Sequence, residues 1–394
     1  MKITKYIQRN CMGCGICHSA DGINMIKDKK GFYFPEISKN SDVNEESITY
    51  CPVFNYSSKD KEFHLWGDYD SVYEGYSLDD NIRYRASSGG ALTSISLFLL
   101  ENGIVDGIIH TGASKKDPMA TETFVSKTRL DLLEHIGSRY SISIPLANIC
   151  SIVEEGKKYA FIGKPCDVAA LRRYLECNKN LREQIIFMMS FFCAGMPSND
   201  ANLKLLNKMG CSKGKIKSLQ YRGNGWPGYT TAIDCDGKLY QIDYQTAWGE
   251  YLGRDVNKIC RFCMDGIGEF ADIVCADLWY LDKNNKPVFL ENDGRNIVFC
   301  RNALANHILK QAVCNGYVHM KSCVNIMDHF EFYQPYQFSR RVTMKYKLIA
   351  MKFFGRHIPR YSRNLLNSAS KYATSNMKWS IFKGTVKRIL QNKL

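Results

Sequence analysis

Cys11-Met-Gly-Cys14-Gly-Ile-Cys17, followed at a distance by Cys51-Pro52, is the stretch on which the reading of this chain turns. C-x2-C-x2-C with a remote C-P is the ligand run of a ferredoxin-type cubane [4Fe–4S] cluster. In two-cluster ferredoxins each run of four cysteines gives three ligands to one cluster and its fourth to the other. Laid backward from Cys51, the second run would need ligands at Ser41, Asn44 and Ser47, and the fourth position of the first run falls at Asp21, before Gly22. The four absent thiolates belong to one cluster and the four present ones to its neighbour. Residues 1–60 therefore read as a ferredoxin-like unit that kept one cubane and lost the other. Zinc competes for such a site, since thiolates suit it too. Three cysteines at two-residue spacing crowd a tetrahedral ion, however, whereas they wrap one corner of a cubane.

A chain of 394 residues exceeds a single core, so more than one domain is expected. Its start, MKITKYIQRNC, lacks an apolar signal core, which predicts a cytoplasmic protein whose sixteen cysteines stay reduced. No run approaches the roughly 18 apolar residues of a spanning helix. The net charge of +14 is local: no acidic residue follows Glu331, yet fourteen of the 53 lysines and arginines do, and the remaining 39 balance the 39 acidic residues. The body is thus neutral, and without a zinc-finger, RRM or helix-turn-helix pattern no nucleic-acid partner is expected. In the tail, 331–394, Tyr346 to Phe354 and Met377 to Leu394 mix apolar and basic residues at helical spacing. That pattern suits an anionic membrane surface at the inner face of the membrane, a tail helix packed on the body, or an arm that docks an acidic protein.

Between the ends, a charged linker is read over Ser57 to Asp68, and Lys27 to Pro35 and Ser38 to Ser47 read as loops. From 75 to 330 helix and strand patterns alternate. Helices are predicted over Ala91–Asn102, Asp167–Glu176, Asp200–Met209 and Ala303–Cys314. Strands are predicted over Ile104–Gly112, Tyr159–Gly163, Gln184–Cys193, Ile273–Leu281 and Ile297–Arg301, with a hairpin over Thr230–Tyr244 turned at Asp236-Gly237. The fold class is α+β or mixed α/β around a central sheet.

Cys260-Arg-Phe-Cys263 is a second C-x2-C pair, and Cys166 and Cys193 sit at the ends of predicted strands. Together these four could hold a second cubane; the other eight cysteines are expected to be buried apolar residues. Three glycine-containing segments suit anions. Ser87-Ser-Gly-Gly90 precedes the helix from Ala91, where N–H groups meet a phosphate or a serine acts as N-cap. Gly137-Ser-Arg-Tyr140 groups a hydroxyl, a guanidinium and a ring, and Gly163-Lys164-Pro165 joins a strand to a helix. A further loop, Tyr221-Arg-Gly-Asn-Gly-Trp-Pro-Gly228, carries Trp226, which could cover an aromatic cofactor or simply shape a turn.

These segments, in this order, resemble the coenzyme F420 hydrogenase/dehydrogenase beta-subunit family. The matching pieces are Ser87-Ser-Gly-Gly90 with Thr93, Gly137-Ser-Arg-Tyr140, Gly163 to Arg172, Phe192-Cys-Ala-Gly195, Tyr221 to Gly228, Cys260-x2-Cys263-Met-Asp265 and Ala271-Asp-Ile-Val-Cys-Ala-Asp-Leu-Trp279. In the last, Ala276 stands where the family pattern has glycine. The resemblance spans residues 5 to 330 and implies a flavin (FAD or FMN) and [4Fe–4S] clusters in a mixed α/β domain with a ferredoxin module. By position it assigns Cys166, Cys193, Cys260 and Cys263 to a second cluster. It assigns Ser88, Gly89, Gly90, Thr93, Ser138, Arg139, Tyr140, Gly163, Lys164 and Pro165 to the flavin. Tyr140 and Asp277 are the catalytic candidates by motif position. The implied protein is an oxidoreductase that joins a ferredoxin-type carrier to a small-molecule redox substrate, since a flavin exchanges one or two electrons. Bacterial relatives resemble proteins encoded among surface-polysaccharide genes. The rival readings are an electron-transfer subunit of a larger complex and a zinc-bearing peripheral membrane scaffold.

Overall fold

The computed structural model describes residues 3–19, 23–37, 50–53 and 63–391. Asp21, Gly22, Ser41, Asn44 and Ser47, on which the lost-cluster reading rests, lie outside the described residues, as does the first half of the Ser57–Asp68 linker.

The Asp28 carboxylate accepts from the N–H groups of Lys30 (2.8 Å) and Phe32 (2.9 Å) and folds that segment into a turn. The turn joins β1 (Ile23–Lys27) to β2 (Tyr33–Ile37) as an antiparallel hairpin. Tyr33 to Pro35, expected as loop, is therefore strand; the loop is shorter because one carboxylate closes it.

Eight further strands build the central sheet: β3 (Ser71–Ser77), β4 (Gly107–Ala113), β5 (Thr121–Ser126), β6 (Tyr159–Ile162), β7 (Ile185–Phe191), and, after a small antiparallel sheet of β8 (Ile216–Gln220), β9 (Tyr229–Asp234) and β10 (Leu239–Asp243), β11 (Ile273–Asp277). The short pair β12 (Tyr280–Leu281) and β13 (Pro287–Val288) follows, then β14 (Asn296–Cys300) and β15 (Val318–Ser322). The order across the sheet is β15-β3-β14-β11-β7-β6-β4-β5. β11, β7, β6 and β4 run parallel, and the pairs on either side of them are antiparallel. β6 and β7 are apolar almost throughout and buried on both faces, which is what a parallel core requires.

One face is covered by the helices Ala91–Glu101 and Ala303–Cys314, which pack Ile95, Leu99, Ile308 and Leu309 against the sheet. The other is covered by the helix Pro165–Cys177 through Val168, Leu171 and Leu175, and the same core takes in Ile7, Cys14, Ile16 and Ile23 from the N-terminal unit. The strand β3 was not expected from sequence: a domain beginning at 75 would cut it in two, although it sits inside the sheet between β14 and β15.

The basic tail is folded onto the body. The helices Met344–Phe353, Arg363–Lys371 and Ser375–Leu390 share a core with Tyr6, Met12, Ile259 and Phe262, supplying Met344, Leu348, Met351, Leu365 and Ile389, while the helix Pro335–Val342 packs Phe338 on the core of the main sheet. Arg340 and Arg341 are buried, and Phe353, Trp379 and Leu390 are left exposed. Among the described residues no helix is long and apolar enough to cross a membrane. Of the eight cysteines expected to be buried, Cys211, Cys275, Cys300 and Cys323 are, whereas Cys150, Cys177, Cys235 and Cys314 are exposed. The last four lie at helix ends or in loops, where an apolar thiol has no core to join.

Candidate cofactor site

Glycines at positive φ let the first cysteine loop curl: Gly13 at 71° and Gly15 at 88°. A Cβ on Gly15 would lie 2.9 Å from the Ala147 nitrogen, so the loop is pressed against the neighbouring backbone, where the Leu146 N–H donates to the Cys14 carbonyl at 3.0 Å. The result brings Cys11, Cys14, Cys17 and Cys51 around one small cavity whose other walls are aliphatic, among them Ile7, Ile16, Ile23 and Val53. Burial pushes all four thiols up, Cys17 to about 12 and Cys51 to about 11, the latter opposed by the Val53 N–H and the charge of Arg173. Such thiols ionise only beside a strong positive centre, which fits a metal cluster.

The second set converges from three segments. Cys166 opens the helix that follows β6, Cys193 lies just beyond β7, and Cys260 lies within, and Cys263 just after, a short helical turn, Lys258–Phe262. Their charges interact: Cys166 with Cys193 and Cys263, and Cys260 with Cys193. Burial raises these thiols too, Cys260 to about 11 and Cys263 to about 12. Gly195, at φ 138°, lets the chain pass with its hydrogen where a Cβ would sit 3.4 Å from that of Cys260. The two sets adjoin each other. Asn257 Nδ2 donates to the Cys11 carbonyl at 3.3 Å, and the charge of Asp167, beside Cys166, acts on Cys14. Among the described residues no three His, Cys, Asp or Glu side chains meet at one point as a single ion would require.

Next to Cys193 opens a cavity of about 600 Å³, at the ends of the parallel strands where α/β sheets bind ligands. Ser88, Gly90, Thr93, Ser138, Arg139, Tyr140, Gly163 and Lys164 line it, as do Cys193 and Asp277; Gly89 and Pro165 do not. Gly89 instead packs on the Arg295 backbone, and Pro165 begins its helix as a buried first-turn residue. Gly90, at φ 76°, is the N-cap of the helix from Ala91, so neither serine caps it. The Ala91 N–H is taken by Asn296 Oδ1 at 3.1 Å, Ser88 Oγ donates to the Arg295 carbonyl, and the Ser138 N–H donates to Ser87 Oγ at 2.6 Å. Arg139 is clamped to the carbonyls of Leu219, Pro118 and Ala120, and Lys164 pairs with Asp167 at 2.7 Å and donates to Ser143. Three buried polar atoms on this wall have no protein partner: Thr121 Oγ1, Arg139 Nε and Asp167 Oδ1. A buried orphan of this kind is costly unless a ligand satisfies it, so the wall fits a polar, ring-bearing cofactor.

The opposite wall is an aromatic and charged cluster that the sequence motifs had not singled out as a unit. Asp277 accepts from Arg222 Nη1 and Nη2, both at 2.9 Å, and from Trp226 Nε1 at 2.8 Å. The Arg222 guanidinium, itself held high by Asp277 despite burial, lies 4.7 Å from the Tyr244 ring and 5.3 Å from Trp279. Trp226 does not face the cavity: it is buried behind Trp279, stacked at 4.8 Å, and Trp279 lines the wall. Tyr140 leans on Trp248 at 4.9 Å, and burial raises its hydroxyl. Ala276 is accommodated on β11, its carbonyl accepting from Asn296 Nδ2.

Comparison with known proteins matches residues 72–150 to the model for the N-terminal part of the coenzyme F420 hydrogenase/dehydrogenase beta subunit, and residues 156–325 to that for its C-terminal part. The chain belongs to this family. As a member of the F420 hydrogenase/dehydrogenase beta-subunit family it is 26% identical over 266 residues to coenzyme F420 hydrogenase subunit beta of Methanosarcina barkeri, covering 64% of this chain and 81% of that one. It is 27% identical over 215 residues to the beta subunit of the F420-dependent formate dehydrogenase of Methanocaldococcus jannaschii, covering 52% of each chain. A chain in the structure of the F420-reducing [NiFe] hydrogenase complex from Methanosarcina barkeri shares the fold, with a TM-score of 0.55 at 21% identity, covering 75% of this chain and 98% of that one. The relatives are thus subunits of F420-dependent oxidoreductases, and an oxidoreductase role follows for this family member. Both family matches end before the tail.

Proposed function

We propose that the chain is an iron–sulfur flavoprotein oxidoreductase that joins a ferredoxin-type one-electron carrier to a small-molecule substrate reduced or oxidised by two electrons. Cys11, Cys14, Cys17 and Cys51 would hold one cubane, Cys166, Cys193, Cys260 and Cys263 another, and the 600 Å³ cavity an FAD or FMN. When bound, the clusters supply single electrons and the flavin exchanges one or two. The observation that carries the reading is the place of Cys193, which interacts with the other thiols of its set and also lines the cavity. The protein's own groups do the positioning. Thr121, Arg139 and Asp167 offer unsatisfied polar atoms to a cofactor, the aromatic wall excludes water, and Arg222 presents a fixed positive charge. Asp277 already accepts three hydrogen bonds beside a guanidinium, so its part is to hold Arg222 and Trp226; Tyr140, whose hydroxyl burial keeps protonated, is the candidate that has a proton to give.

The beta-subunit names of the relatives favour work within a larger assembly, and turnover of substrate by the isolated chain would argue against it. Anaerobic purification tests the central reading. A brown protein with bound flavin and about eight irons per chain is expected. The Cys14→Ala variant should lose about half of the iron and keep its flavin. A colourless, iron-free protein would end the proposal, and a Cys14→Ala protein with full iron and no flavin would refute this division of the sites.

A further inference from the structure

We infer that Arg340, from the tail beyond the family match, is the built-in counter-ion of the cluster on Cys166, Cys193, Cys260 and Cys263. The inference rests on the cluster assignment proposed above. Arg340 is 5% exposed. Its Nη2 donates to the Cys193 carbonyl at 2.9 Å and to Gln337 Oε1 at 2.6 Å, and Gln337 Nε2 donates to the same carbonyl at 3.1 Å. The fit is tight: a Cβ on Gly266 would fall 1.3 Å from Nη2, and the Gly266 carbonyl accepts the Cys193 N–H at 2.8 Å. Yet Nε is buried without a partner, and among the described residues no carboxylate forms an ion pair with this guanidinium. Its charge acts on the sulfurs of Cys263, Cys193 and Cys260 and on the hydroxyls of Tyr336 and Tyr361, the Tyr336 ring lying 5.3 Å away, and it is opposed by the neighbouring Lys347 ammonium.

A buried guanidinium is sustained only by an anion or a dense set of acceptors. Two neutral oxygens do not meet that need, whereas a cubane with four thiolates is a net anion. Reduction places one electron, supplied by the one-electron carrier, on the cluster iron, and no bond to Arg340 forms or breaks. The reduced form carries one more negative charge, so a fixed positive charge beside it raises the reduction potential. The tail thereby becomes part of the redox site and not only a cover for it.

The test is a redox titration of the anaerobically purified full chain, followed by EPR, for wild type, Arg340→Gln and Arg340→Lys. The two signals are assigned by comparison with Cys14→Ala. In Arg340→Gln the potential of the second cluster should shift negative while that of the first stays fixed, and Arg340→Lys should lie close to wild type. Loss of the second cluster in Arg340→Gln with its retention in Arg340→Lys would support the same conclusion by a stronger effect. Full iron with an unmoved potential in Arg340→Gln would overturn it. Equal loss of the cluster in both variants would also overturn it, since shape and not charge would then be at stake. An iron-free wild type would overturn this inference together with the reading beneath it.

Discussion

Asp277 and Arg222 are 55 residues apart in sequence and meet through two parallel hydrogen bonds, with Trp226 adding a third to the same carboxylate. Arg222 is 3% exposed, so its charge depends on that carboxylate. Removing one partner of a buried pair leaves the other uncompensated, at a cost of about 3 kcal/mol or more. Asp277→Asn should therefore lower stability by about that amount in urea unfolding. A loss of under about 1 kcal/mol, the worth of an ordinary hydrogen bond, would show that the ion pair is not what holds this wall.

At the scale of elements, the sheet edge formed by β4 and β5 buries His110, whose Nε2 lies 2.7 Å from Ser126 Oγ, with Phe124 stacked nearby and His135 5.5 Å away. Burial first, and then the charge of His135, hold His110 down at about 4. Burial lowers His135 as well. The unfolded chain then binds the proton more readily than the native one between about pH 6.5 and 4. Stability from this group is present at neutral pH and is lost as pH falls through that window, by about 3 kcal/mol at most. Urea midpoints at pH 7 and pH 5 should differ less in His110→Gln than in the wild type. An identical pH slope in both would remove His110 from the account.

Across the whole molecule, the basic tail closes one side of the body rather than trailing from it. Met351 is fully buried between the tail helices and the segment around Phe262, and Met351→Ala should cost about 2–5 kcal/mol in equilibrium unfolding. Arg341 donates to the Met264 carbonyl and to Glu269, and its neighbour Arg340 is buried as well. Trypsin acting on the native protein should therefore cut at exposed tail lysines such as Lys371 and spare Arg340 and Arg341. Rapid cleavage at Arg341 would contradict the docked arrangement.

The cysteine spacing, the alternation of helix and strand and the order of the glycine motifs were all legible in the chain, because each depends on neighbours a few residues apart. β6, β7 and the helices at Ala91 and Ala303 follow from such local patterns. β3 escaped because an edge-like sequence, SVYEGYS, was carried into the sheet by β14 and β15. Trp226, read as able to cover a cofactor or to shape a turn, lies behind Trp279, which lines the cavity: both are large and apolar, and only packing decides which faces it. The cysteine and glycine motifs were thus written in the sequence, whereas the tertiary structure alone brought Arg222 to Asp277 and Arg340 to Cys193. Charges far apart along a chain acquire a role only when folding removes the water between them.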